Sequence, residues 1–225
     1  MDAFTGQHAA ALAGRLAHVR WIAGGTGSGK STLARFLAER YDVNVYVGDR
    51  AERQYVQRCS PEQQPYLSAL LRMPPEQRWS GRTAEAVFAA MPSLHGETFG
   101  FVVEDLLALP DDRPLLADDF RTLPADVAAL LSWREQAVFL LPAAEFRDRV
   151  LSDRFADPRR AYANWGNTDH SKALTLRLAR DQLWDAEVHR QAAEAGLVTI
   201  TVDGEQNIQD LGQRLARMFL LDQQP

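Results

Sequence analysis

The stretch WIAGGTGSGKSTLARFL, residues 21–37, places a short apolar run, a segment of small residues and a helical pattern in direct succession. Residues 24–31 of this stretch fit the spacing G-x-x-x-x-G-K-S between a predicted strand and a predicted helix. Glycine lets main-chain amides turn inward without a Cβ in the way, and a helix N-terminus adds a partial positive charge. The stretch therefore predicts a loop that holds a chain of phosphates against bare backbone.

Two side chains of this loop have the chemistry that a bound nucleotide needs. Lys30 is predicted to reach the β- and γ-phosphates, and the Ser31 hydroxyl to ligate Mg²⁺, which prefers oxygen ligands. The chain has two lysines, Lys30 and Lys172, so a lysine inside the loop does not reflect a lysine-rich composition. The predicted nucleotide-binding residues are Gly25, Thr26, Gly27, Ser28, Gly29, Lys30, Ser31 and Thr32.

The composition is that of an ordinary globular protein. The 225 residues are 46% hydrophobic and 24% charged, enough for one buried core and a single domain over residues 1–225. The formal charge of -5 gives no general reason to bind nucleic acid or an anionic membrane, so an anion site must be local. A homodimer is left open.

The cysteine content and the apolar runs indicate where the protein works. Cys59 is the single cysteine, which excludes an intrachain disulfide and fits a reducing compartment, so we expect a cytoplasmic protein. The apolar runs fall short of the ~20 residues that a membrane span requires. We therefore expect neither a membrane nor a nucleic-acid partner.

Strand-like and helix-like runs alternate along the chain, which predicts parallel strands joined by helices. Near-continuous apolar strands indicate a sheet covered on both faces, so the predicted fold is three-layer α/β/α with a five-stranded parallel sheet. Residues 50–92 are predicted to be a helical insertion, residues 99–109 a helix and residues 152–169 a lid loop. The predicted strands cover residues 19–23, 43–47, 113–120, 137–141 and 198–202.

Acidic residues stand at the carboxyl ends of two predicted strands. Asp49 ends the second strand, directly after Gly48, and Asp118 and Asp119 end the third. In open parallel sheets ligands bind beyond these ends, which places the acids on the same rim as the glycine loop. Asp118 is predicted to lie on the magnesium side, and Asp119 to contact a second substrate. The alternatives are a helix cap for Asp49 and solvated loop acids for the other two.

With GGTGSGKST, VNVYVGDR, PLLADDFRTLP and SDRFADPRR in this order, the chain resembles the small P-loop kinases. This group includes adenylate, shikimate, gluconate and nucleoside kinases and the chloramphenicol phosphotransferase. The resemblance implies a P-loop NTPase fold with an acceptor-binding insertion and a small lid. It implies that ATP and Mg²⁺ bind, and that the γ-phosphoryl group moves to a hydroxyl of a small molecule such as a metabolite, a nucleoside or an antibiotic.

The resemblance also implies roles for residues outside the glycine loop. Asp49 lies where shikimate, gluconate and chloramphenicol kinases place an aspartate beside the acceptor hydroxyl, and it would accept the proton of that hydroxyl. Arginines of the lid would neutralise charge on the migrating group. The implied catalytic residues are Lys30, Asp49, Asp118, Arg154 and Arg160. The implied acceptor-binding residues are Asp49, Arg53, Arg82 and Asp119.

Three further residues have two interpretations each. Arg177 and Arg180, one turn apart in the predicted helix 170–195, would support the same phosphates or face water. Trp79, in the predicted insertion, would stack on a flat acceptor or pack in a small core.

Two other functions stay open at this point. A nucleoside monophosphate kinase would have two or three arginines converging on its acceptor, whereas a regulatory protein would bind nucleotide with little transfer. The text WGNTD, residues 165–169, is not the Asn-Lys-x-Asp pattern that reads guanine, which favours ATP over GTP.

Overall fold

The fold is built on five parallel strands, seen in a computed structural model that describes residues 6–223 without the side chains of residues 7, 52, 53, 56 and 223. The strands are β1 (Val19–Gly24), β2 (Asn44–Val47), β3 (Leu115–Asp118), β4 (Ala137–Pro142) and β5 (Val198–Val202). They lie in the order β2-β3-β1-β4-β5, and every neighbouring pair is parallel. The predicted five-stranded parallel sheet is confirmed.

Helices fill the connections between the strands. The helices are α1 (Gly6–Arg15), α2 (Lys30–Ala38), α3 (Gly48–Arg58), α4 (Pro65–Arg72), α5 (Pro75–Trp79), α6 (Ala84–Ala89), α7 (Phe99–Leu107), α8 (Pro124–Ala128), α9 (Ala144–Phe155), α10 (Pro158–Trp165), α11 (His170–Ala195) and α12 (Ile208–Met218), with 3₁₀ turns at Pro92–His95, Arg134–Gln136 and Leu221–Gln223. Within residues 6–223, no helix combines the length and the apolar character that crossing a bilayer requires.

Successive side chains of the central strands pack into two different cores. Trp21 and Phe139 belong to a core on one face of the sheet, which α1, α7, α8 and α11 cover. Ile22 and Leu140, one residue further along, belong to a core on the opposite face, which α2 and α12 cover. Since neighbouring residues of a strand point to opposite faces, these strands are buried on both sides and the order of layers is helix, sheet, helix.

The residues predicted as a helical insertion, 50–92, hold most of α3 and all of α4, α5 and α6, and the 3₁₀ turn Pro92–His95 begins at their end. The buried carboxylate of Glu97 accepts hydrogen bonds from the amides of Tyr66 and Leu67 at 3.1 and 2.7 Å, which satisfies the free N–H groups at the start of α4. Helix α6 packs against α11. The insertion is thus fixed against the long helix that passes beneath it.

The residues predicted as a lid loop are largely helical, and the prediction of a loop there is wrong. Helix α9 extends to Phe155, and α10 begins after Asp157, whose side chain accepts a hydrogen bond from the Arg159 amide at 2.9 Å. An aspartate followed by proline is a strong helix start. Ala161 and Trp165 then bury one face of α10 in a small core with the end of α9.

Candidate functional site

A cavity of about 520 Å³ lies at the carboxyl ends of β1, β2 and β3. Its walls are the glycine loop of residues 24–31, the start of α3, the end of β3, the insertion and one face each of α9, α10 and α11. All strands run in the same direction, so the loops that follow them meet at this edge. The cavity therefore lies where the sequence predicts a ligand.

The glycine loop connects β1 to α2 with a shape that other residues would not fit. A Cβ at Gly25 would overlap the carboxylate of Asp185 and the ring of Pro142, so the backbone here lies directly against α11 and β4. Gly29 has φ +83° at the position just before α2, in the left-handed region that side chains rarely adopt. The helix N-terminus is thus reached by bare backbone whose amides can meet an anion.

Lys30 is buried within the loop, with 8% of its surface exposed. Its Nζ donates to the carbonyl oxygen of Gly25 at 2.5 Å and to that of Gly24 at 3.3 Å, and the Ser28 hydroxyl donates to the same Gly25 oxygen at 2.9 Å. Burial lowers the pKa of Lys30, while the carboxylates around it, Asp118 first, oppose this change. The amine therefore lies at the start of α2 in a position that is attractive for anions.

Asp118 and Ser31 bring two oxygen atoms together beside Lys30. Asp118 is 5% exposed at the end of β3 and accepts a hydrogen bond from the Ser31 side chain. Burial raises the pKa of Asp118, whereas the Ser31 hydrogen bond and the Lys30 charge lower it. Mg²⁺ in nucleotide sites needs one or two protein oxygens, because phosphates and waters supply the others. These two residues fit that requirement.

The described residues contain no group of three or more His, Cys, Asp or Glu side chains that could enclose a metal ion. A closed protein cage of the zinc type is therefore not seen in this part of the chain.

Asp49 lies in the first turn of α3, just after β2, and not at the end of the strand. Its side chain is 77% exposed and lines the cavity. Its Oδ1 is 3.3 Å from Nη1 of Arg121, and the same nitrogen is 3.3 Å from Oδ1 of Asp119. Arg121 was not predicted as a site residue, although its position shortly after the acidic end of β3 is a usable signal.

Asp119 supports the loop after β3 and does not line the cavity. It is 2% exposed, and its Oδ2 accepts hydrogen bonds at 2.9 Å from the Arg121 amide and from the Thr122 hydroxyl. The carboxylate also lies against the backbone of Gly48 at the start of α3. Its oxygens hold two loops together, so the structure does not bring it to the position predicted for an acceptor contact.

The two predicted lid arginines, Arg154 and Arg160, lie in different surroundings. Arg154, in the last turn of α9, lines the cavity, and its pKa is lowered by burial and by the neighbouring charges of Arg177 and Arg160. Arg160 lies on α10 outside the cavity lining, with a side chain 65% exposed and 3.7 Å from Asp157. Of the two, Arg154 alone is therefore placed to meet a ligand in this cavity.

The insertion supplies some of the predicted acceptor contacts. Arg82 lines the cavity and donates to the Ala86 carbonyl oxygen at 2.9 Å. The side chain of Arg53 lies outside the described part of the chain. Arg78 also lines the cavity, which the sequence did not predict, and donates to the carbonyl oxygens of Met73 and Leu70 at 3.0 and 2.7 Å. It joins α4 to α5.

Arg177 and Arg180 both face the cavity from α11 and not bulk water. Nη2 of Arg180 is 2.7 Å from Oδ1 of Asp181, and Nε of Arg177 is 3.6 Å from Oδ2 of the same carboxylate. Both guanidinium groups lie over the ring of Trp79, at 5.3 Å for Arg180 and 5.8 Å for Arg177. Trp79 also packs against the small core of α9 and α10, which agrees with the second of its two predicted roles, and its ring holds the two arginines as well.

A buried ion pair lies under the glycine loop. Nη1 of Arg147, on α9, is 2.8 Å from Oδ2 of Asp185, on α11, and the other carboxylate oxygen faces Gly25. Burial raises the pKa of Asp185 to about 7, although the Arg147 charge acts in the opposite direction. The pair fixes α9 and α11 to the loop from below.

We expect this carboxyl group to make stability depend on pH. Burial raises the pKa of Asp185 to about 7 in the folded chain, whereas an unfolded chain releases this proton near pH 4, so the free energy of unfolding should fall by roughly 2–3 kcal/mol as the pH rises from 5 to 8. Urea unfolding at pH 5 and pH 8 measures the change. Asp185→Asn should remove most of it, and Asp148→Asn, whose carboxylate is 53% exposed, should not. If the free energy of unfolding changes as much between pH 5 and pH 8 in the Asp185→Asn variant as in the unmodified chain, Asp185 is not the group responsible.

Comparisons with known proteins do not assign the chain to a family. No protein-family model matches it, and no curated protein matches it. A fold of this class serves many functions, so the function must be argued from the cavity and its residues.

Proposed function

We propose that the protein is an ATP-dependent phosphotransferase that moves the γ-phosphoryl group of ATP to a small molecule held between the glycine loop and the helical insertion. One observation carries the proposal. Bare backbone at Gly29, the Lys30 amine and the paired oxygens of Ser31 and Asp118 meet at the N-terminus of α2, inside a cavity of about 520 Å³, a size usual for small-molecule sites.

Different groups of the glycine loop bind different parts of the nucleotide in this proposal. The amides at the start of α2 donate to phosphate oxygens, and Lys30 exchanges its bonds with the Gly24 and Gly25 carbonyl oxygens for bonds to the β- and γ-phosphates. Ser31 and Asp118 would hold Mg²⁺ at this position. When bound, this ion supplies positive charge that offsets the charge of the phosphates.

The acceptor side of the cavity is formed by Asp49 and the insertion. If the acceptor group is a hydroxyl, its oxygen forms the new bond to the γ-phosphorus as the bond to the β-phosphate oxygen breaks, and Asp49 accepts its proton. Arg154 and Arg121, which line the same cavity as Asp49, stabilise the charge of the group in transfer.

Binding of nucleotide is the first test of this proposal. Calorimetry with the magnesium complex of AMPPNP should show saturable uptake at one site, with a dissociation constant on the order of 1 μM to 1 mM, the range usual for enzyme substrates. The guanine analogue GMPPNP serves as the comparison, and we expect the adenine compound to bind more tightly. No heat and no saturation with either compound would refute the proposed phosphate cradle.

A further inference from the structure

Positive charge is concentrated in the cavity of a chain that is acidic as a whole. The formal charge of the protein is -5. Among the described side chains that line the cavity, seven are cationic and two are carboxylates: Lys30, Arg78, Arg82, Arg121, Arg154, Arg177 and Arg180, with Asp49 and Asp118. Two buried carboxylates behind this lining, Asp119 and Asp181, pair with Arg121, Arg177 and Arg180 and offset part of the excess, which leaves more cations than carboxylates around the cavity. The remaining positive charge favours a second anion beside the phosphates of a nucleotide.

Arg180 is the strongest sign of such an anion. It is 8% exposed, and within the described part of the chain its Nε is a buried donor with no hydrogen-bond partner. Burial lowers the pKa of this guanidinium. Asp181, which is fully buried, is the carboxylate shared by Arg180 and Arg177. Holding two desolvated cations against one carboxylate is costly unless a ligand completes the pairing.

The position of Arg180 connects it to the insertion end of the cavity. Its Nη1 is 3.3 Å from the sulfur of Met91, which follows α6, and its guanidinium lies over Trp79 at the end of α5. The guanidinium also lies 5.9 Å from the centre of the Phe120 ring, which follows β3. Two aromatic rings thus hold the guanidinium in place before a ligand arrives, which lowers the entropy cost of binding.

Arg82 and Arg177 extend this cationic surface on two sides. Arg82 follows α5 on the insertion, and Arg177 precedes Arg180 by one turn of α11 and lies over Trp79. Arg78 is not part of the surface, because its bonds to two carbonyl oxygens join α4 to α5. We call Arg82, Arg177 and Arg180 the acceptor arginines.

We propose that the phosphoryl acceptor carries an anionic group of its own, a phosphate monoester or a carboxylate, which the acceptor arginines bind at the insertion end of the cavity. The planar fork of arginine forms paired hydrogen bonds with either group. The statement that the bound molecule is a phosphoryl acceptor rests on the proposed phosphotransferase activity. The anion site itself does not depend on that activity. It narrows the substrate class from hydroxylated small molecules in general to charged ones.

The test compares charged and neutral members of matched pairs by calorimetry, in the presence of magnesium and saturating AMPPNP. The probes are UMP with uridine, AMP with adenosine, glycerol 3-phosphate with glycerol, and glycerate as the carboxylate. At least one charged compound should bind at least tenfold more tightly than its neutral partner. Arg82→Gln and Arg177→Gln should each weaken that binding by about tenfold to a hundredfold, since each removes a hydrogen bond between charged groups.

The controls separate this inference from the proposed function. Arg72→Gln in the insertion and Arg190→Gln on α11 remove the same charge outside the cavity lining and should leave binding unchanged, and urea unfolding checks the fold of each variant. Equal binding of neutral partners, or AMPPNP binding with no charged compound bound, would overturn the inference and leave the kinase proposal intact. If the charged compounds bind and AMPPNP does not, the anion site is supported and the kinase proposal is overturned. If neither AMPPNP nor any charged compound binds, the anion site and the kinase proposal are both overturned.

Discussion

Replacing Lys30 with alanine should lower the turnover of ATP by roughly 10²- to 10³-fold, the loss that follows removal of one preorganised electrostatic contact to the reacting group. The ammonium group lies at the start of α2, beside Asp118 and Ser31, and alanine leaves the amides of the loop unchanged. ADP release in a coupled assay measures the effect, first with water as acceptor and then with a compound found in the binding screen.

The fold should survive this change, because Lys30 carries a desolvated charge and the Gly25 carbonyl oxygen keeps its bond to the Ser28 hydroxyl. Lys172→Ala is the matched control, since Lys172 is the other lysine of the chain and its side chain is 87% exposed. Its turnover should equal that of the unmodified chain. Full activity in the Lys30 variant would remove the lysine from the mechanism and leave the glycine loop without its main cation.

The sheet could be predicted because the apolar strands carry their own signal. Strand β5 and helix α11 have the predicted bounds, and β1, β2 and β4 differ from prediction by one residue. The site rim follows from the same pattern, since parallel strands end at one edge.

Strand β3 is shorter than predicted, and the two acids at its end have different contacts: Asp118 meets Ser31, whereas Asp119 meets Gly48. Successive residues at the end of a strand point to opposite faces, and this decides their roles.

The convergence of arginines could not be predicted from the sequence. Arg82 and Arg180 are far apart in the chain, and they share a cavity because α6 and α5 pack against α11. No local pattern encodes that contact, which depends on how the insertion folds back over the long helix. Helix α10 was not predicted for a related reason. Its sequence is polar and rich in arginine, and only two of its residues, Ala161 and Trp165, are buried in the small core that holds it in place.

Replacing Asp49 with asparagine should distinguish two acceptor chemistries. If the acceptor oxygen is a hydroxyl, kcat should fall by roughly 10²-fold or more, the lower end of what a general base contributes. Asparagine has the same size and can still accept a hydrogen bond from Arg121, but it cannot take up the proton. The affinity for nucleotide should change by no more than about twofold, because the loss concerns the transition state alone.

Single-turnover transfer and AMPPNP calorimetry on the same Asp49 variant give these two quantities. Asp42→Asn is the matched control, since this exposed carboxylate pairs with Arg113 away from the cavity lining. Unchanged turnover in the Asp49 variant would remove Asp49 from the catalytic residues. It would also favour a phosphate as the acceptor group, because a phosphate oxygen is already deprotonated at neutral pH and needs no base. The acceptor arginines would then bind the group that receives the phosphoryl, as in the nucleoside monophosphate kinase alternative, and not a separate anion of the acceptor.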